Sequence, residues 1–217
     1  MLLQQKHEEG LSPEVKLYLN KIEGASSRMS TLVRDLLNYS RLHQSADLFV
    51  ETDLNETFKN ILNDFELLIA EKKAKIKINQ LPTIEAIPLQ MNQLFYNLVS
   101  NSLKYSNHNV QPLITITSHK LSEKEINKHP GLNPFMAYVE IIFKDNGIGF
   151  EQQYAEKIFT IFQRLHDRET YIGTGIGLAL CKTIMENHYG EIFAEAKENE
   201  GASFHLILPI TQLQQLN

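Results

Sequence analysis

Gly173-Thr174-Gly175-Ile176-Gly177-Leu178 opens a helical pattern that runs from Ile176 to His188. Small residues, free main-chain amides and the positive end of a helix dipole meet there, a combination suited to holding phosphate groups. The run lacks the Gly-x-x-x-x-Gly-Lys spacing of a P-loop, and its alternating glycines follow a polar loop instead of a strand. Both common nucleotide folds are therefore disfavoured. Upstream, Asp145-Asn146-Gly147-Ile148-Gly149-Phe150 follows directly on a strand pattern over 138–143. A carboxylate at a strand end, beside glycines that let the backbone close on a ligand, can accept from an adenine amino group. Taken alone, the tetrapeptide reads better as a plain Asp-Asn-Gly turn.

Further upstream, Gln93, Asn97, Asn101 and Lys104 recur at helical spacing among Leu94, Leu98 and Leu103. Four polar groups thus line one side of a helix predicted over 88–105. An asparagine oxygen suits a hard cation such as Mg²⁺, which keeps several waters, and a lysine can reach a phosphate. By itself the stripe reads better as a solvated helix face.

Around these segments the chain alternates strands and helices. Strands are predicted over 48–52, 76–78, 83–87, 114–117, 138–143, 192–196 and 204–208, and helices over 54–73, 88–105, 151–159 and 176–188, with Asp53 capping the first. The charged segment 122–134, with its Pro and Gly, reads as a surface loop. The expected fold is α+β: a mixed sheet with helices on one face. Before it, Ser12-Pro13-Glu14 starts a long helix whose Leu11, Val15, Tyr18, Ile22, Ala25, Met29, Leu32, Leu36 and Tyr39 alternate by four and three. Such a seam belongs to a helix bundle or to a helix lying on its own core; Glu23, Arg28, Arg34 and Asp35 avoid it, which favours the bundle. The polar stretch 42–47 reads as a linker, so residues 1–46 and 47–217 are predicted as arm and domain.

A length of 217 residues with 42% hydrophobic side chains suffices for one core plus an added element. A net charge of -5 without a Lys/Arg run argues against nucleic acid. Cys181 is the single cysteine, so neither a disulfide nor a zinc knuckle can form within the chain, in keeping with a reducing compartment. No apolar run approaches the ~20 residues that cross a bilayer, and Met1-Leu2-Leu3 is too short for a signal-peptide core. The expectation is a soluble, cytoplasmic segment without membrane contact; any sensor or membrane segment of a fuller protein would precede Met1.

Taken in order, these segments resemble the histidine-kinase branch of the Bergerat ATP-binding fold, over about residues 48–209. Gln93-x-x-x-Asn97-x-x-x-Asn101-x-x-Lys104-Tyr105 looks like its N box, Asp145-x-Gly147-x-Gly149 its first glycine box, and Ile158-Phe159-x-x-Phe162-x-Arg164 its F box. Gly173 to Leu178 is similar to the second glycine box, and Gly201-Ala202-Ser203-Phe204 to the tail of the third. Two departures stand out: Asn199 where the third box usually begins with Gly, and Tyr189 inside the usual His-Gly-Gly. The resemblance implies ATP and Mg²⁺ as cofactors, Asn101 and Asn97 as metal ligands, and Asp145 as the adenine reader. It further implies that Lys104, Tyr105, Gly147, Gly149, Phe162, Gly173, Thr174, Gly175, Ile176, Gly177, Leu178 and Ser203 hold the nucleotide, with Arg164 near the terminal phosphate. Residues 165–172 would form the lid, and the run from Arg164 to Gly175 looks like that of phytochrome-type kinases.

Asp35-Leu36-Leu37-Asn38-Tyr39-Ser40-Arg41 resembles the second helix of the family's dimerisation and phosphotransfer hairpin. His7-Glu8 echoes an acceptor box, but Glu9 and Gly10 follow, so His7 reads as a loop residue and the phosphate-accepting histidine as absent. His43, His108, His119, His129, His166, His188 and His205 show neither metal spacing nor a nucleophile partner and receive no role. The resemblance further implies a homodimer of the full-length protein, a first hairpin helix bearing the acceptor, and a response regulator receiver domain as partners. Related ATPases carry Glu where Gln93 stands; an amide cannot act as that base, so slow hydrolysis is expected. A hydrolysing ATPase of the same fold and a binding module without kinase activity are the alternatives.

Overall fold

The computed structural model describes residues 12–42, 48–107, 109–165 and 173–212. Helix α1, Pro13–Leu42, is capped by Ser12, whose Oγ accepts from Val15 N at 3.3 Å. The proposed arm–domain boundary, His7, His43, His108, His166 and most of the lid segment lie outside the described residues. Along α1 the seam is largely uncovered: Val15, Tyr18, Met29 and Leu36 are exposed and Ile22 reaches 65%. α1 touches the domain at the helix Gly177–Asn187.

The domain begins with β1, Val50–Asp53, and α2, Leu54–Asp64, whose N-cap Asp53 accepts from Asn55 N at 2.8 Å. The predicted single helix to residue 73 is instead broken at Phe65, and a short α3 follows, Glu66–Glu71. β2, Lys75–Ile78, β3, Thr83–Ala86, and α4, Pro88–Lys104, come next, then β4, Leu113–Lys120. The last elements are α5, Glu123–Ile126, β5, Tyr138–Asp145, α6, Gly177–Asn187, β6, Glu191–Lys197, and β7, Gly201–Pro209.

Five strands form one mixed sheet in the order β2-β4-β5-β7-β6, with β2 parallel to β4 and every other pair antiparallel. β1 and β3 pair separately as an antiparallel ribbon. α2, α4 and α6 bury Phe58, Ile61, Leu94, Leu98, Leu180 and Ile184 against Ile114, Ile116, Ile141, Phe143, Phe204 and Leu206 of the sheet. This is the expected α+β sandwich, with the main core under the helices.

Two expectations change. The predicted helix over 151–159 is a pair of single 3₁₀ turns, Gln152–Tyr154 and Lys157–Phe159. The Gln152 side chain donates to Ala194 O at 3.1 Å and accepts from Ala196 N at 2.8 Å, so its amide pairs with the free edge of β6 and holds the segment on the sheet. The segment 122–134 is more than a loop. Ser122 and Glu125 form a capping box on α5, and Leu121, Ile126 and Leu132 pack with Tyr138 and Ile207 in a second small core on the other side of the sheet.

Candidate functional site

α4 and α6 lie antiparallel, and the first glycine of α6, Gly177, faces Asn97: a Cβ built at Gly177 would stand 3.3 Å from Asn97 Oδ1. The carboxyl end of β5 delivers Asp145 beside the end of α4. Between these elements runs a cleft of two connected lobes, about 100 Å³ and 320 Å³ in volume, which share Asn101, Tyr105, Arg164 and Leu178. The smaller lobe is lined by Asp145, Gly149, Phe150, Ala202 and Phe204, and the larger by Gln93, Asn97, Lys104 and residues 173–178. Most residues singled out from the sequence therefore meet in one hollow.

In the smaller lobe Asp145 accepts from Ser102 Oγ and Gly147 N, both at 2.9 Å, and from Ala202 N at 3.3 Å. Burial pushes its carboxyl above the usual carboxylate range, and the donors from Gly147, Ser102 and Ala202 pull the other way. Gly149, at φ +58, and Gly201, at φ +107, press main chain on main chain: a Cβ on Gly201 would run into the Asp145 carbonyl. Asn199 and Tyr189, the two departures from the glycine pattern, both sit in the left-handed region, at φ 63 and 56. Asparagine tolerates that conformation more readily than tyrosine does.

In the larger lobe Lys104 Nζ lies 2.9 Å from Tyr105 Oη and 4.4 Å from the ring centroid. Arg164 donates to Gly173 O at 2.9 Å, and Phe162 N to Gly175 O at 2.9 Å, tying the turn before the lid to the glycine loop. Asn97 Nδ2 is buried without a hydrogen-bond partner among the described residues. Such an orphaned amide in a polar hollow calls for a ligand. No group of three or more His, Cys, Asp or Glu suited to a metal occurs among the described residues. The donor set nonetheless fits magnesium, which needs only one or two protein oxygens when phosphates and water complete its shell; the Asn97 and Asn101 amides supply them.

Gly147, Phe162 and Ser203 are not among the lining residues; Gly147 acts through its N–H, which donates to Asp145. The Phe162 ring is exposed, at φ 65. Ser203 points to the opposite side of β7 from Ala202 and Phe204, because strand neighbours alternate faces. Ser102 was missed. It is a small polar residue inside an apolar run, turned toward the core one position after Asn101, and it orients Asp145. Its sequence signal was a serine at a buried helix position.

Fold and cleft define an ATPase domain of the histidine-kinase type. The family described as histidine kinase-, DNA gyrase B-, and HSP90-like ATPase matches residues 86–212, and the chain belongs to it. It is 34% identical, over 96% of its length, to cyanobacterial phytochrome A of Nostoc sp., of which it covers 25%. It is 32% identical, over 93% of its length, to the sensor protein kinase WalK of Staphylococcus aureus, covering 46% of that protein. The chain thus spans between a quarter and a half of these curated relatives. Among solved structures, histidine kinase ThkA in complex with the response regulator protein TrrA matches with a TM-score of 0.67 at 25% identity, over 97% of this chain and 56% of that one. No helix among the described residues is long and apolar enough to cross a membrane.

Proposed function

We propose that the chain is the ATP-binding catalytic part of a two-component sensor histidine kinase, transferring the γ-phosphoryl group of Mg-ATP to a histidine on a separate dimerisation helix for relay to a response regulator. The observation that carries this reading is the convergence of Asn97, Asn101 and Lys104, Asp145, and the 173–178 glycine loop on one cleft. Asp145 accepts the adenine amino hydrogen. Lys104 and the amides opening α6 hold the phosphates, and Arg164 steadies the terminal one. Magnesium, when bound through Asn101 and Asn97, neutralises the phosphate charge. Gln93 lines the cleft but cannot take a proton from water, which favours transfer to a neutral imidazole over hydrolysis. Positioning and charge neutralisation dominate such a transfer.

Residues 1–46 are proposed as the tip and second helix of a dimerisation hairpin that lacks the acceptor histidine, and the exposed seam of α1 as the surface that pairs with the acceptor helix and with a second copy. The complex of ThkA with TrrA supports a receiver domain as the next acceptor. Reliance on ATP puts the site in the cytoplasm. Asn101→Asp and Asp145→Ala are each expected to abolish calorimetric binding of Mg-ATP; unchanged affinity in both variants sinks the site. Labelled ATP, supplied with a separately expressed first hairpin helix, is expected to mark that helix's histidine.

A further inference from the structure

The two sides of the phosphate lobe come from different helices, so their relative register decides whether the lobe has the right shape. Asn97, Asn101 and Lys104 stand on α4, and the glycine loop opens α6. Successive contacts bridge the antiparallel pair. Cys181 Sγ approaches Leu94 O at 3.8 Å, a weak donor at long range, and Asn187 Nδ2 donates to Gln90 Oε1 at 3.3 Å. At the far end stands His188, the C-cap of α6, 0% exposed.

His188 is unlike the other two bridges because both its ring nitrogens meet main chain. Nε2 accepts from Ile87 N at 3.0 Å, at the N-cap of α4, where no side chain caps the helix. Nδ1 donates to Ile184 O at 2.7 Å, a carbonyl in the last turn of α6 that also accepts from the His188 main-chain N at 3.2 Å. A peptide N–H can only donate and a carbonyl can only accept, so the two partners fix the tautomer. Neither partner can swing away as a side chain can. From the far side the Phe49 ring meets the imidazole edge-on, centroids 5.2 Å apart, and so brings the chain that follows the arm onto the same ring.

We propose that His188 is a positioning residue that fixes the register of α4 against α6, and through it the geometry of the phosphate lobe. The span from Gly177 to Asn187 puts roughly 15 Å of helix between this fastening and the glycine loop, so His188 acts through the two helices and not on the ligand. The inference rests on the ATP reading above. It predicts an effect concentrated on the phosphate-bearing part of the ligand, because the Asp145 lobe takes only Leu178 from α6 and otherwise draws on β5, β7, the end of α4 and the turns that follow β5, whereas the phosphate lobe is lined by the glycine loop and the first turn of α6.

The test uses the whole chain and two polar variants. His188→Gln carries an acceptor far enough out to meet the Ile87 amide, whereas His188→Asn reaches only the Nδ1 position. Affinities for a magnesium-bound, non-hydrolysable ATP analogue are read by calorimetry, and those for adenosine by NMR titration. His188→Asn is expected to weaken the analogue by about tenfold, the scale of one lost main-chain hydrogen bond, while adenosine stays within about twofold and His188→Gln recovers most of the loss. Equal losses for analogue and adenosine in His188→Asn, or identical behaviour of the two variants, overturn the proposal. Should His188→Asn lack a cooperative melt, His188→Gln decides alone: a natively melting variant that loses the analogue by more than about tenfold overturns it, and near-parental binding supports it. An unaltered chain that binds neither ligand removes the ATP site itself, and this inference with it.

Discussion

The two lobes of the cleft are built differently. At the Asp145 end the protein itself supplies partners: the carboxylate accepts from Ser102, Gly147 and Ala202, and the Tyr105 carbonyl from Ile148 N at 2.9 Å. Main chain packs on main chain at Gly149 and Gly201. At the glycine-loop end the Asn97 amide is left over, and Lys104 turns to its own neighbour Tyr105. One end is shaped by folding itself, and the other leaves groups whose best partners belong to a ligand. A polar site can be rigid where it recognises and incomplete where it holds charge, since an unpaired buried amide costs stability that a phosphate or a cation's hydration shell restores.

The largest expected contrast is in stability. Gly201→Ala places a methyl group against the Asp145 carbonyl and 2.8 Å from Asn146 Cα, at a φ of +107 that side chains avoid. Strain and overpacking together should cost about 3 kcal/mol or more. Gly173→Ala, at the other end, meets among the described residues only the end of the flexible Lys104 side chain and should cost less than about 0.5 kcal/mol. Urea midpoints of the two variants check this. Equal midpoints would mean that the lobes do not differ in the way described.

A smaller contrast is expected in binding. Ser102→Ala removes a 2.9 Å hydrogen bond from Asp145 and so acts on the adenine side. It should weaken adenosine and an ATP analogue alike, by about three- to tenfold. Lys104→Ala acts on the phosphate side and should weaken the analogue by about tenfold while adenosine is unchanged. Calorimetry with both ligands separates the two patterns, and a Lys104 variant that loses adenosine equally would merge the lobes into one.

The same division explains what was legible in the residues. The N-box stripe and both glycine runs could be read because their spacing is local: helix periodicity puts Gln93, Asn97 and Asn101 on one side, and glycines mark where backbone closes on backbone. What stayed hidden depended on distant parts of the chain. Residues 151–159 have helical spacing but are held as 3₁₀ turns by Gln152, which pairs with β6 some forty positions away. Ser203 was placed in the site from its motif, and a one-residue alternation along β7 turns it to the other face. The second core beneath α5 depends on Tyr138 and Ile207, from strands whose pairing no local pattern announces, although the Ser122-x-x-Glu125 capping box itself was readable. The seam of α1 is apolar at its spacing, but periodicity reports that a face needs covering and not what covers it.

The subtlest way to sharpen the comparison is pH, because each end of the α4–α6 pair holds a buried titratable group and the two are shifted in opposite directions. Burial lowers the His188 imidazole from its ordinary 6.5, with the Ile184 hydrogen bond opposing. Below that value the unfolded chain binds a proton that the folded chain resists, so the contribution of His188 is complete above 6.5 and is lost as pH falls toward its depressed folded value. Asp145 is raised above 3.8, so the folded state holds its proton longer, and stability declines as pH rises between 3.8 and the raised value. Stability of the parent minus that of His188→Gln should therefore rise with pH, and parent minus Asp145→Asn should fall, each no faster than about 1.4 kcal/mol per pH unit, the limit for a single proton. Urea denaturation at half-unit steps from acid to neutral pH reads both differences. A difference that stays flat, or runs against its expected sign, would show that the group it reports is not buried as described.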